Sequence, residues 1–201
     1  SIPGWHPGGH RSLWPDGTLH LVATFIGPSA TGSLRYWHRT QDGIWQPPQT
    51  VVQTFGGPEN VGLVVDSAGI VHVIWNQRGG LPPAVGGKFY AFRSQDGQWS
   101  APEKIRGGVL HAFTIDAADT LHMLAECTNP ECPQPGVYYT RHLAHGSWAP
   151  YERLPGVPMY LSPSSVTLHL DPTGEIRVAW AAVVNGMPGF REDRRTSEGV
   201  W

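Results

Sequence analysis

Short apolar runs separated by turn residues come round four times along the chain. "LHLVATF", "VHVIW", "LHMLA" and "IRVAW" are strand-length runs rich in branched and aromatic residues, and each follows an aspartate-led turn: "DG", "DSAG", "DAAD" or "DPTG". A second set, "LRYWHR", "KFYAFR" and "VYYTR", follows at a regular distance, and segments such as "VGLVVD" and "VTLHLD" precede. "QTVVQ" and "PEKI" predict a fourth, more exposed strand. No stretch combines helical periodicity with caps, so the pattern predicts an all-β chain.

Two anchors measure the period. Trp45, Trp99, Trp148 and Trp201 lie 54, 49 and 53 residues apart, and Asp16, Asp66, Asp116 and Asp171 lie 50, 50 and 55 apart. Upstream of each tryptophan stands an arginine: Arg39, Arg93, Arg141 and Arg195. Four strands in about 50 residues, repeated, is the arithmetic of a β-propeller blade. The expectation is one propeller domain over 1–201, with repeats near 8–56, 57–107, 108–157 and 158–201. It forms either a small closed ring or part of a larger one. The chain stops where the outer strand of the fourth unit should start, so that strand comes loosely from the N-terminus, from a longer array or from self-association with a second chain.

"RTQDGIW" (39–45) and "RSQDGQW" (93–99) are near copies. Asp-Gly suits the turn from third to fourth strand, because glycine tolerates positive φ and aspartate bonds the backbone that follows it. The tryptophan is then expected to be buried between neighbouring sheets, at Trp45, Trp99 and Trp148 alike.

Composition limits the function classes. There are 25 Gly and 19 Pro, which suits many turns, and 40% hydrophobic residues, enough for a core. The net charge is -2, without charged blocks, which gives no footprint for nucleic acid. No apolar run reaches the length of about 18 residues that a membrane helix needs. Neither a cofactor motif nor a metal-ligand spacing is present. Cys127 and Cys132, in "ECTNPEC", lack the second pair of a zinc site. A small loop disulfide in an oxidising compartment, extracellular or at the cell surface, fits them better than two free thiols.

"RSQDGQWSAPEKI" after "GIVHVIW" resembles the sialidase-like propellers that carry Asp-box (BNR) repeats. The family box, S/T-x-D-x-G-x-x-W, has five steps from Asp to Trp. Here Asp42–Trp45 and Asp96–Trp99 have three, and His145 and Glu198 replace the aspartate in the later units. The D-G-x-W turn also resembles that of tectonin-like lectin propellers.

Recurring residues serve the scaffold; functional residues should break the repeat. His20, His72 and His122 recur, so they are expected to bond an adjacent strand's backbone rather than a metal. In a four-stranded meander, the loops entering the first strand and joining the second to the third share one face. Their residues differ from unit to unit: His10, Arg11, Glu59, Asn60 and His111 near the axis, with Asn76, Gln77, Arg78 and Glu126 further out. Rigid scaffolds carry binding chemistry on such loops. The expected ligand is a carbohydrate, bound by aromatic faces and by Arg, Asn and Glu side chains. A glycosidase or polysaccharide lyase, and a protein-interaction propeller, are the alternatives. A sialidase-like hydrolase needs an arginine cluster, an acid/base carboxylate and a Tyr–Glu pair, and no tyrosine evidently pairs with a glutamate on the inner strands.

Overall fold

The computed structural model describes residues 10–13, 17–27, 31–77, 86–128, 132–143, 146–158, 165–171, 173–184, 187–196 and 198–201; of 10–13, 55 and 184 it describes the backbone alone. The described residues form fifteen strands and no α-helix. They fall in four antiparallel sheets, each a simple up-and-down meander. The all-β, four-sheet expectation holds. The chain divides into two compact units, Ser1–Arg106 and Gly107–Trp201.

Unit 1 holds two sheets. The first contains β1 (His10–Leu13), β2 (Leu19–Ile26), β3 (Thr31–Arg39) and β4 (Gln49–Phe55); the second contains β5 (Glu59–Val65), β6 (Val71–Gln77), β7 (Gly87–Arg93) and β8 (Glu103–Ile105). One face of each is apolar, so the two faces close on each other. Val22, Leu34, Tyr36 and Val51 meet Val61, Leu63, Val71, Val73 and Trp75. Unit 2 repeats the plan with β9 (Leu110–Ile115), β10 (Leu121–Cys127), β11 (Gly136–His142) and β12 (Glu152–Arg153), then β13 (Val166–Leu170), β14 (Ile176–Val184) and β15 (Met187–Arg195). Its core joins Leu124, Val137, Tyr139 and Leu154 to Val166, Ile176, Val178 and Trp180. The last sheet has three strands among the described residues. Its edge strand β15 carries Pro188 and the charged run Arg191–Arg195, a composition that discourages further pairing.

The turns work as the sequence suggests. Gly43, Gly97 and Gly199 hold φ near +87°, at +86°, +85° and +88°, where a side chain is strained. Ser94 Oγ donates to the Asp96 carboxylate and to Gln98 O (2.9 Å for the latter). At the other turn type, Asp66 Oδ1 accepts the amides of Ala68 and Ile70 at 3.0 and 2.8 Å, and Asp116 Oδ1 accepts those of Ala118 and Thr120 at 2.9 and 2.8 Å.

Two clips fasten sheet to sheet, one in each unit. In unit 2, Arg195 grips Glu152 of the preceding sheet through Nε (2.7 Å) and Nη2 (2.8 Å), and Trp201 Nε1 donates to the same carboxylate at 2.9 Å. The guanidinium lies over the Tyr139 ring at 5.3 Å, and Trp201 meets that ring edge-on at 5.6 Å. In unit 1, Arg93 Nε donates to Gln49 Oε1 at 2.7 Å, over the Tyr36 ring at 5.4 Å, with Trp99 edge-on at 5.5 Å. Gln49 offers one carbonyl oxygen where Glu152 offers two, and Trp99 Nε1 is left buried without an acceptor.

Two sequence expectations need correction here. The bridges Arg39–Trp45, Arg93–Trp99 and His142–Trp148 show that His142, not Arg141, holds the recurring arginine's place in the third repeat. Trp45 is 44% exposed, and Trp99 and Trp148 are only half-buried. Trp99 and Trp201 gain cover from the sheet that precedes theirs. Trp45 lies in the first sheet of its unit, which has no preceding sheet there.

Trp99→Ala should therefore cost about 3 kcal/mol in urea unfolding, the low end for emptying a large aromatic site. Trp45→Ala should cost less than about 1 kcal/mol, an ordinary surface change. Equal losses would refute the difference in packing. Gln49→Glu should stabilise the protein by about 1–2 kcal/mol, by supplying the second oxygen and a charge-assisted bond. The gain should vanish below about pH 4, where a glutamate is protonated. Destabilisation by Gln49→Glu at pH 7 would count against the clip.

Candidate functional site

Each unit carries a relay of titratable groups that repeats, and a polar group that does not. In the relays, His72 Nδ1 meets the Tyr90 hydroxyl at 2.7 Å while Nε2 faces Asp66 at 3.4 Å; His122 Nδ1 meets the Tyr139 hydroxyl at 2.8 Å and Nε2 faces Asp116 at 3.1 Å. His20 Nδ1 makes the same bond to the Tyr36 hydroxyl at 2.7 Å. The histidines thus bond side chains, not the strand backbone that the sequence suggested. The carboxylate accepts the Nε2 proton, so Nδ1 is free to accept from the phenol. Burial pushes the Tyr36 and Tyr139 phenols up to about 12, against the pull of Arg93 and Arg195 respectively. Tyr90 is raised further by burial and by the Glu103 and Asp66 charges. Burial lowers His122 despite Asp116, with Arg141 and Arg195 adding to the lowering. Burial alone would raise Asp116, but bonds from the Thr120 amide, His122 and the Ala118 amide hold it low.

A relay in three of four repeats is scaffold. Its tyrosines are the rings on which the Arg93 and Arg195 clips rest. The signal for them in the sequence is Tyr36, Tyr90 and Tyr139 recurring opposite Gln49, Glu103 and Glu152.

The residues that break the repeat lie at the opposite strand ends. In unit 1, Glu59 of β5 stands opposite Asn76 of β6, which stands opposite Lys88 of β7. Cross-strand partners share a sheet face, so acid, amide and ammonium form one row. Glu59 is exposed, Asn76 is half-buried and Lys88 is fully buried. Beneath the row, buried Trp75 stacks on Phe89 at 5.9 Å. Asn60 sits in a bulge with φ +47°, a strained place for a non-glycine residue.

The chain entering β5 is held against the first sheet. Thr24 Oγ1 donates to Pro58 O at 2.7 Å, and a Cβ on Gly57 would come within 2.8 Å of the Thr24 side chain. This close approach needs glycine, and it aims Glu59 and Asn60. Strand β1, carrying His10 and Arg11, runs beside β5. The side chains of His10 and Arg11, and the whole of Arg78, lie outside the described residues.

In unit 2, His111 of β9 and Glu126 of β10 form their own pair, Nε2 to Oε1 3.5 Å. The His111 side chain is 0% exposed and that of Glu126 is 7% exposed. They face each other inside the sheet end rather than an open surface. His111 is the extra residue of a bulge, which turns it toward Glu126. Nearby, Cys127 and Cys132 are joined by a disulfide with Cα atoms 5.8 Å apart, and Tyr138 packs on it. Among the described residues no three His, Cys, Asp or Glu side chains gather to hold a metal ion.

No protein-family model matches the sequence, and no curated protein matches it. Solved structures do match in fold. A Hadza microbial sialidase, Hz136, superposes with a TM-score of 0.62 at 14% identity over 96% of this chain. A xylan β-1,4-xylosidase from Bacillus halodurans C-125 gives 0.53 at 18% over 98%, and an endo-arabinase from Bacteroides thetaiotaomicron VPI-5482 gives 0.53 at 13% over the full chain. The chain spans 45%, 42% and 80% of those three proteins. The likeness shows the fold: the sheets are blades of the β-propeller type.

The relay makes a pH prediction. Burial makes His122 harder to protonate in the folded protein than in the unfolded chain, where it takes a proton near pH 6.5. Its contribution is complete above that pH and is lost as pH falls below it. The unfolding free energy should therefore decline as pH falls below about 6.5, and His122→Gln should make that decline shallower. An unchanged slope in His122→Gln would assign the titration to other groups.

Proposed function

We propose that this chain is a glycan-binding, sialidase-like propeller segment, non-catalytic by itself, whose ligand meets the strand ends that carry Glu59, Asn60 and Asn76. The observation that carries this reading is the row Glu59–Asn76–Lys88. Its outer member, Glu59, is exposed, with Asn60 and Asn76 half-buried beside it and Lys88 buried behind them, and an exposed carboxylate with neighbouring amides bonds sugar hydroxyls. Carbohydrate as the ligand class is further supported by the fold likeness to proteins named sialidase, xylosidase and arabinase. His10 and Arg11, on the strand beside β5, belong to the same proposed site. The Cys127–Cys132 disulfide favours an extracellular or cell-surface setting.

An enzyme reading needs two carboxylates flanking a bond. Among the described residues each unit brings one to this end: Glu59, which is exposed, and Glu126, which is closed off against His111. That difference favours binding over hydrolysis.

A glycan array should find a ligand, and the double substitution Arg11→Ala with Glu59→Ala should abolish binding while barely moving the melting temperature. Glu59 is exposed, and such changes are usually within about 0.5 kcal/mol. Binding that survives the double substitution would overturn the site. Turnover of a bound glycan, lost in Glu59→Gln, would favour the enzyme reading.

A further inference from the structure

The chain that enters β5 is fixed by the neighbouring sheet. Between Glu59 and Gly62 the ladder to β6 is interrupted, so β6 does not set the direction of Asn60. Just upstream, Gly56, Gly57 and Pro58 cross the first sheet at backbone contact. A Cβ on Gly32 of β3 would lie 2.3 Å from Gly56 O and 2.8 Å from Gly57 Cα, and one on Gly57 would lie 2.8 Å from the side chains of both Thr24 and Ile26. Gly56 turns into this crossing with φ +72°, which glycine adopts without strain. Gly57 and Pro58 are buried, and the next residue, Glu59, is exposed.

Two hydroxyls fasten the crossing. Thr54 Oγ1 donates to Gly56 O, and Thr24 Oγ1 donates to Pro58 O at 2.7 Å, the last carbonyl before Glu59. Thr24 holds a particular place in the repeat. It stands two residues beyond Val22, the cross-strand partner of Tyr36, as Asn76 and Glu126 stand two beyond Ile74 and Leu124, the partners of Tyr90 and Tyr139. One repeat position thus supplies three different residues, all at the strand ends where the repeats disagree. In unit 2 the chain entering β9 is held by its own sheet: Gly108 N–H donates to Glu126 O at 2.6 Å, and Glu126 N–H donates to Val109 O at 2.9 Å. In unit 1 the corresponding hold on β5 comes from a side chain of the first sheet, Thr24.

We infer that Thr24 is the positioning residue of the Glu59–Asn60 site: its hydroxyl, acting through the Pro58 carbonyl, sets the ligand-binding conformation of two residues it does not itself expose. The inference rests on the glycan reading of that site. A ligand that meets Glu59 and Asn60 already in place need not order them, and the ordering cost it avoids appears as affinity. The positive φ of Asn60, +47°, is the kind of backbone state that persists only where the surroundings impose it. The Gly32–Gly57 crossing and the Thr24 bond are those surroundings. Without the hydroxyl, the Pro58 carbonyl loses its donor, and the segment from Pro58 to Asn60 is tied to the first sheet by packing alone.

The test compares the intact chain with Thr24→Val, which keeps the shape and removes the hydroxyl, and with Thr24→Ser, which keeps the hydroxyl. One readout is the nitrogen-15 backbone order parameter at Glu59 and Asn60. It should lie near the rigid value of about 0.85 in the intact chain, fall below about 0.6 in Thr24→Val and recover in Thr24→Ser, with Glu126 of unit 2 unchanged throughout. The other readout is the dissociation constant, by calorimetry, for xylotetraose, arabinotetraose and sialyllactose. Whichever of these binds the intact chain should bind Thr24→Val at least tenfold more weakly, and Thr24→Ser should restore the affinity. Melting temperatures should differ by no more than about 4 °C, the size of one lost hydrogen bond in a chain of this length. Unchanged order parameters in Thr24→Val would overturn the inference, and so would a looser Glu59 and Asn60 with undiminished glycan affinity. If none of the three sugars binds the intact chain, the glycan reading fails separately, and the order parameters alone decide the role of Thr24.

Discussion

Every sheet in this chain is short and apolar on at least one face, so it must be covered by a neighbour in a fixed register. The clip of Arg195 and Trp201 on Glu152, over the Tyr139 ring, is the interaction that sets the register in unit 2. Hydrophobic burial brings Val178 and Trp180 against Leu124 and Tyr139, but burial has no direction. A bidentate arginine on a carboxylate has one, and in a half-dry setting it is stronger than a surface pair. The Glu152 bond raises the arginine's affinity for its proton, as such a partner should. The clip rests in turn on Tyr139, whose hydroxyl is held by His122 and, through it, by the Asp116 turn. One polar chain thus runs from a turn at one strand end to the neighbouring sheet.

That arrangement puts the repeating residues and the non-repeating ones at opposite strand ends of each sheet. The turns with Asp-Gly, the relays and the clips gather at one set of strand ends, where the repeats agree. The opposite ends are free to differ. There β5 and β6 carry Glu59, Asn60 and Asn76, and β9 and β10 carry the shielded pair of His111 and Glu126. The strained φ of Asn60 and the close approach of Gly57 to Thr24 are costs accepted at one of these ends, where the backbone is held in a chosen direction.

The sheets were legible because the period is written twice, once in tryptophans and once in aspartates, and because strand runs and turn residues alternate without helical signals. The tyrosines were harder to see, since "LRYWHR", "KFYAFR" and "VYYTR" hold several aromatics and only the register singles out one in each. The same density of similar residues hid the one-place difference between Arg141 and His142. Trp45 looked like its repeats, yet its cover depends on which sheet precedes it, and no local sequence encodes that. For the site, topology placed Glu59 and Asn60 together with Asn76, but it could not distinguish an exposed Glu59 from a Glu126 turned inward by a bulge. Lys88 escaped notice, since a lysine at the start of a strand reads as solvated until its neighbours close over it.

The central claim is that polar clips, not burial alone, fix sheet against sheet. A double-mutant cycle on Arg195 and Glu152, each replaced by Ala and measured by urea unfolding at pH 7, tests it most directly. The account predicts a coupling of about 2 kcal/mol, in the range for charge-assisted and partly buried pairs. A coupling below about 0.5 kcal/mol, the value of an exposed ion pair, would contradict it.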